Sequence, residues 1–139
     1  MKKETIIGSI VLVAVLGGLL WWSNTLQKSD PEIVATKGIH WHPEVKVFVK
    51  GIEQPIPQNI GLGAVHSPMH THEDLPIIHL EFAGLVKKQD ITLGKFFTLW
   101  GKDIRSFGTT LRMTVNGVEN TEYENYLFKE GDKIELFYE

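Results

Sequence analysis

The chain has 139 residues, a net charge of −3 with histidine neutral, a pI near 6.1, six histidines and no cysteine. That length supports one domain, or one small domain with an appendage. Its slightly acidic balance, with Lys and Arg scattered singly or in pairs, excludes the basic face that nucleic-acid binding needs. The missing thiol excludes disulfides, zinc ribbons, thiolate copper centres and cysteine nucleophiles.

The N-terminus reads MKKETIIGSIVLVAVLGGLLWWSN, a basic pair followed by an uncharged apolar run from Ile6 to Trp22. Seventeen helical residues (6 to 22) span roughly 25 Å, at the short end of what crosses a bilayer core of about 30 Å. Trp21 and Trp22 fall where an interfacial aromatic belt is expected, and Lys2 and Lys3 favour a cytoplasmic N-terminus. A cleaved signal peptide is the competing reading, but it wants small residues at the cleavage site, where this chain has Leu19-Leu20-Trp21-Trp22. The organisation expected is therefore a single-pass anchor over 1–24, a polar linker over 25–37 and an extracytoplasmic domain over 38–139.

Within the domain, EVKVFVKG (44–51) alternates Val45, Val47 and Val49 against Lys46 and Lys50, the pattern of a half-buried strand. Lys50-Gly51 makes a turn, and EQPIP returns as the second arm of a hairpin, its prolines suited only to an edge. IIHLEF (77–82) is a further strand, with Ile77, His79 and Glu81 on one face and Ile78, Leu80 and Phe82 on the other. In DITLGKFFTLWGK, Leu93, Phe96, Phe97 and Trp100 follow helical spacing, Thr92 can cap the start and Gly101 can close the end. LRMTVNG (111–117) alternates into an Asn-Gly turn, and KIELFYE (133–139) alternates after the turn at Glu130-Gly131-Asp132.

Hairpin, strand, helix, strand, strand is an α+β order, most economically a small mixed sheet with one helix laid across it. The segment MTVNGVENTEYENYLFKEGDKIELFYE resembles the closing half of ubiquitin-like β-grasp domains, above all the sulfur carriers, and implies a β-grasp-like domain. The carriers end in a Gly-Gly tail that is chemically activated. This chain ends in Phe137-Tyr138-Glu139, so their chemistry does not carry over.

All six histidines lie between His40 and His79, three of them within HSPMHTHED (66–74). His40 and His42 form one His-x-His pair and His70 and His72 another, and in extended chain both members of such a pair point to one side. His79 lies on the following strand with Glu81 on its face, and a turn at Ser67-Pro68 can bring His66 back. A single strand histidine is ordinarily a packing or surface residue. Two pairs joined by His66 and His79 in one third of the chain point instead to a metal. Neutral imidazole suits copper and zinc. The candidate ligands are His70, His72, His79, His66, His42 and His40, with Met69, a thioether suited to Cu(I), and Glu81 as accessories. Glu73 and Asp74 read as solvated turn residues or as partners that orient an imidazole.

The stretch MHTHEDLPIIHLEF with ITLGKFFTLWG also resembles a group of membrane-anchored extracytoplasmic prokaryotic proteins that share an LHTHD…IIH-x-E…FTLG-x-FF pattern. That resemblance covers most of residues 40–139 and implies that His70, His72 and His79 belong to the shared pattern. Met69 stands where leucine is usual, and Glu73 precedes the Asp.

The function these readings imply is metal capture, buffering or delivery to a receiving extracytoplasmic protein, with a copper ion preferred and a zinc ion second. No catalytic residue is assigned: Gly-x-Ser-x-Gly, phosphate-loop and His-Glu-x-x-His motifs are absent. Cupin-like metal chemistry is disfavoured because Glu81 is too far from His72 and no second Gly-x-His motif follows. An interaction module with pH-sensing histidines is the alternative from another class.

Overall fold

The computed structural model describes residues 2–139, with side chains described at all of these except 2, 4, 5 and 27–29. An N-terminal helix α1 (Lys2–Ser29) precedes an α+β domain. Its stretch Ile6–Leu26 is long and apolar enough to cross a membrane and buries nothing against the domain. At 21 residues it spans about 32 Å, longer than the run from Ile6 to Trp22 alone gives. The side chain of Lys2, half of the basic pair, lies outside the described residues. No Pro or Gly interrupts 23–29, so the helix continues until Pro31 disfavours helical backbone at Asp30.

The segment expected as an irregular linker is more ordered than its composition implies. After a turn at Asp30–Glu32, β1 (Ile33–Ala35) pairs antiparallel with β7 (Val86–Lys87). Three apolar residues are too few to show a period, and only the partner strand reveals them as a strand.

The remaining elements follow as β2 (Ile39–Trp41), β3 (Glu44–Val49), β4 (Ile52–Gln54), β5 (Met69–His70), β6 (His79–Phe82), α2 (Leu93–Trp100), β8 (Leu111–Val115), β9 (Val118–Asn120) and β10 (Lys133–Tyr138). The larger sheet has five strands in the order β4-β3-β10-β8-β9, with β10 parallel to β3 and every other pair antiparallel. Lys50-Gly51 and Asn116-Gly117 make its hairpin turns, all four residues at positive φ as the favoured two-residue turns demand.

Helix α2 forms as its spacing predicts. Thr92 accepts a hydrogen bond from the Lys95 amide at 3.0 Å, and Gly101 closes the helix at φ 72°. Leu93, Phe96 and Phe97 are fully buried against Val45, Val47, Met113, Ile134 and Leu136 from the larger sheet, each large side chain contributing about 1.5–3 kcal/mol. Trp100 is only half-buried, packing beside Phe96, Phe97 and Phe107.

A second sheet of three strands, ordered β2-β6-β5, lies between the hairpin and the helix in the chain. One ribbon joins the two sheets. Ile39, His40 and Trp41 oppose Phe82, Glu81 and Leu80, and further along the same ribbon an isolated bridge pairs Glu44 with Ile77. Ile78, Leu80 and Met69 turn one face of this sheet into the core. The opposite face carries the histidines.

Candidate metal centre

Three pairs of residues, each spaced by two, occupy that face. His40 and His42 sit on and just beyond β2, His79 and Glu81 on β6, and His70 and His72 on and just beyond β5. Alternation in extended chain is why each pair projects to one side. His40 is directly opposite Glu81, His70 is directly opposite His79, and continuing the β2–β6 register places His42 opposite His79. The ring contacts bear this out, with centroids 5.1 Å apart for His42 and His79 and 5.5 Å for His70 and His79.

The intervening residues are anchored in the core. Thr71, fully buried, donates its hydroxyl to the Pro57 carbonyl and accepts from the Ile60 amide, both at 3.0 Å. With Thr71 held inward, His70 and His72 emerge on the other side. Gly61 lets the 57–61 loop approach β5 closely: it adopts φ +77°, and a β-carbon there would strike the Met69 carbonyl oxygen. Gly38 does the same for β2, where a β-carbon would strike the Phe82 carbonyl oxygen.

Two of the imidazoles have fixed tautomers. Nε2 of His79 lies 3.0 and 3.1 Å from the two oxygens of Asp74. A carboxylate only accepts, so this nitrogen carries the proton, and in the neutral ring Nδ1 carries the lone pair. That Nδ1 is buried and has no hydrogen-bond partner. Likewise Nδ1 of His70 lies 3.0 Å from the Ser67 carbonyl oxygen and donates to it, which leaves the lone pair on Nε2.

Both free lone pairs face Glu81. One of its oxygens is 3.7 Å from His79 Nδ1 and the other is 4.0 Å from His70 Nε2, and all three donor groups lie within 4.8 Å of one another. Donors about 2.0–2.1 Å from a tetrahedral ion stand about 3.3 Å apart, so the set would have to close by up to about 1.5 Å to hold one. The His72 ring adjoins both, with centroids 4.8 Å from His70 and 4.9 Å from His79, but it is exposed and belongs to neither donor group.

Electrostatics follow from these contacts. Burial pushes the His70 imidazole below its ordinary pKa, although the Ser67 carbonyl and Glu81 act the other way. The hydrogen bond from His79 holds the Asp74 carboxyl below the usual carboxylate range. The first shift favours neutral imidazole at His70, and the second keeps Asp74 a carboxylate that accepts from His79.

A second group of donors, His40, His42 and Glu81, also lies within 4.8 Å. His40 Nε2 is 3.5 Å from a Glu81 oxygen, and the His40 and His42 rings are 4.8 Å apart. Glu130, which sequence reasoning read only as part of a turn, binds the His42 amide at 2.7 Å and approaches His42 Nδ1 at 3.7 Å. Its turn is set by the buried Asp132 carboxylate, which accepts from Tyr126, Lys129 and Asn116. Eighty-eight residues separate His42 from Glu130, so nothing local in the sequence announces the contact.

Two of the expected ligands are elsewhere. His66 is exposed in the 61–68 loop, held by an antiparallel bridge to Leu62 and the Ser67 amide bond to Gly61, and belongs to neither donor group. Met69 faces the core, 1 % exposed, because it precedes His70 by one residue and pairs with Leu80. Asp74 is the converse case, a turn residue that reaches an imidazole. Comparison with protein-family models, with curated proteins and with solved structures finds no match for this chain.

Proposed function

We propose that this chain is a membrane-tethered, outward-facing protein that binds a borderline divalent ion, Cu(II) before Zn(II), for capture, buffering or delivery to a receiving protein. One observation carries the reading: the free lone pairs of His70 and His79, each tautomer set by an outer acceptor, converge on the Glu81 carboxylate. Outer carboxylates and carbonyls of this kind accompany metal-ligating imidazoles. A buried unpaired nitrogen is otherwise costly, and an ion would satisfy it.

Nitrogen and oxygen donors without sulfur favour Cu(II) over Zn(II) at equal availability. With Met69 in the core, no thioether is offered for Cu(I). His72 turning in would fill the fourth position, and a closed site suits carriage over catalysis. The β-grasp identity belongs to the same reading; the order β4-β3-β10-β8-β9 with its central parallel pair and single packed helix supports it. So does the tether, from Ile6–Leu26, with Lys2 and Lys3 favouring an outward domain.

The test is a Cu(II) and Zn(II) titration of the full chain in detergent against a chromophoric chelator, repeated with His70→Ala/His79→Ala. Tight binding by the native chain, weakened at least about 100-fold in the variant, is expected. An unchanged isotherm would remove the metal reading.

A further inference from the structure

We infer that the histidine face holds two ions rather than one, with Glu81 as the carboxylate that bridges them. The inference rests on the metal reading above and adds a second site at His40 and His42. Among the described residues there are two donor groups, His70/His79/Glu81 and His40/His42/Glu81, and Glu81 is their sole common member. Donors of one ion with bonds of about 2.1 Å cannot stand more than about 4.2 Å apart. No one group within 4.8 Å takes in all five donors among the described residues, so a single ion would gather only part of them.

The topology explains why Glu81 is shared. It lies on β6, the central strand of the small sheet, with His40 directly opposite it on β2 and with His79 two residues along its own strand. His70, opposite His79 on β5, faces the other Glu81 oxygen. Glu81 Oε1 lies 3.5 Å from His40 and 3.7 Å from His79, between the two groups, while Oε2 is 4.0 Å from His70; a carboxylate so placed can bridge the ions of a two-metal site, which stand about 3.5–4 Å apart.

The two halves also match in their outer partners. Asp74 sits behind His79 at 3.0 Å, and Glu130 sits beside His42 at 3.7 Å while held by the His42 amide. Each site thus has two imidazoles, a share of Glu81 and a carboxylate of its own. Charge follows the same pattern. Two divalent ions bring four positive charges, and Asp74, Glu81 and Glu130 together offset three of them. The inner site is shielded, with His70 and His79 side chains 8 % and 12 % exposed, and the outer one is open, with His40 67 % exposed. The open site is the one through which an ion arrives.

Cu(II) titration of the full chain in detergent, followed by electron paramagnetic resonance, tests this. Two equivalents should bind. The first should give the spectrum of an isolated ion, and the second should diminish that signal and introduce a half-field transition from coupled neighbours. His40→Ala/His42→Ala should bind one equivalent and show only the isolated spectrum, with its circular dichroism unchanged because His40 is exposed, His42 is half-buried and neither belongs to the core. Glu81→Gln should abolish the coupling. Saturation at one equivalent, or two equivalents with full uncoupled intensity, would overturn the shared site and leave the single-ion reading standing. No binding at all would overturn both.

Discussion

Asp74→Ala probes the logic of the centre without touching a ligand. In the native chain the Asp74 oxygens, 3.0 and 3.1 Å from His79 Nε2, hold the proton on that nitrogen and leave Nδ1 as a bare donor. Once the carboxylate is gone, the proton can move to Nδ1, which then faces the Glu81 oxygen 3.7 Å away. An Nδ1–H donating to Glu81 would occupy two ligands at once. Removal of such an outer partner costs about 10–100-fold in metal affinity, or about 1.4–2.7 kcal/mol. Asp74→Asn keeps one acceptor oxygen and should lose less than Asp74→Ala, while His79→Ala should lose more than either. Zn(II) affinities from chelator competition at pH 7.5 give all three values on one scale. An Asp74→Ala affinity equal to the native one, alongside a weakened His79→Ala, would show that the tautomer is set by something other than Asp74.

Other outcomes follow from the same contacts. His70 is held below its ordinary pKa of 6.5, so the unfolded chain takes up its proton first as pH falls; in chelator-treated protein this part of the stability is present above pH 6.5 and is lost below it. Thermal melts from pH 7.5 to 5 should therefore show a falling Tm, and His70→Gln should flatten that slope. Phe96→Ala, at a fully buried ring, should destabilise by about 3–5 kcal/mol in denaturant titration, and Trp100→Ala, half-exposed, by less. Gly38→Ala places a β-carbon against the Phe82 carbonyl at φ +86° and should cost more than about 1 kcal/mol, with His40 displaced from Glu81. Removing residues 1–29 should give a soluble fragment with the Tm of the full domain, because Ile6–Leu26 buries nothing against it; a fragment that fails to fold would show that the helix contributes to the core.

Much of the architecture was legible because it rests on local periodicity. The alternation in 44–49 and 133–138, the Asn116-Gly117 turn and the Thr92-to-Gly101 helix each carry their own signal over six or more residues, or in a turn chemistry with few alternatives. Density of histidine marked the third of the chain that supplies both candidate donor groups, and spacing by two put the members of each pair on one side. Long-range pairing decided the rest. Strands of two or three residues, such as Ile33–Ala35 and Met69–His70, have no readable period and exist because a partner completes their hydrogen bonds. Which imidazoles meet depends on register across β2, β6 and β5: one residue separates Met69 in the core from His70 in the cluster, and His66, bridged to Leu62, stays outside both donor groups. Tautomers, and the approach of Glu130 to His42 across 88 residues, depend on atoms brought together only by the folded chain. Residue type and spacing could nominate candidate ligands; only the tertiary contacts point the free lone pairs of His70 and His79 at Glu81.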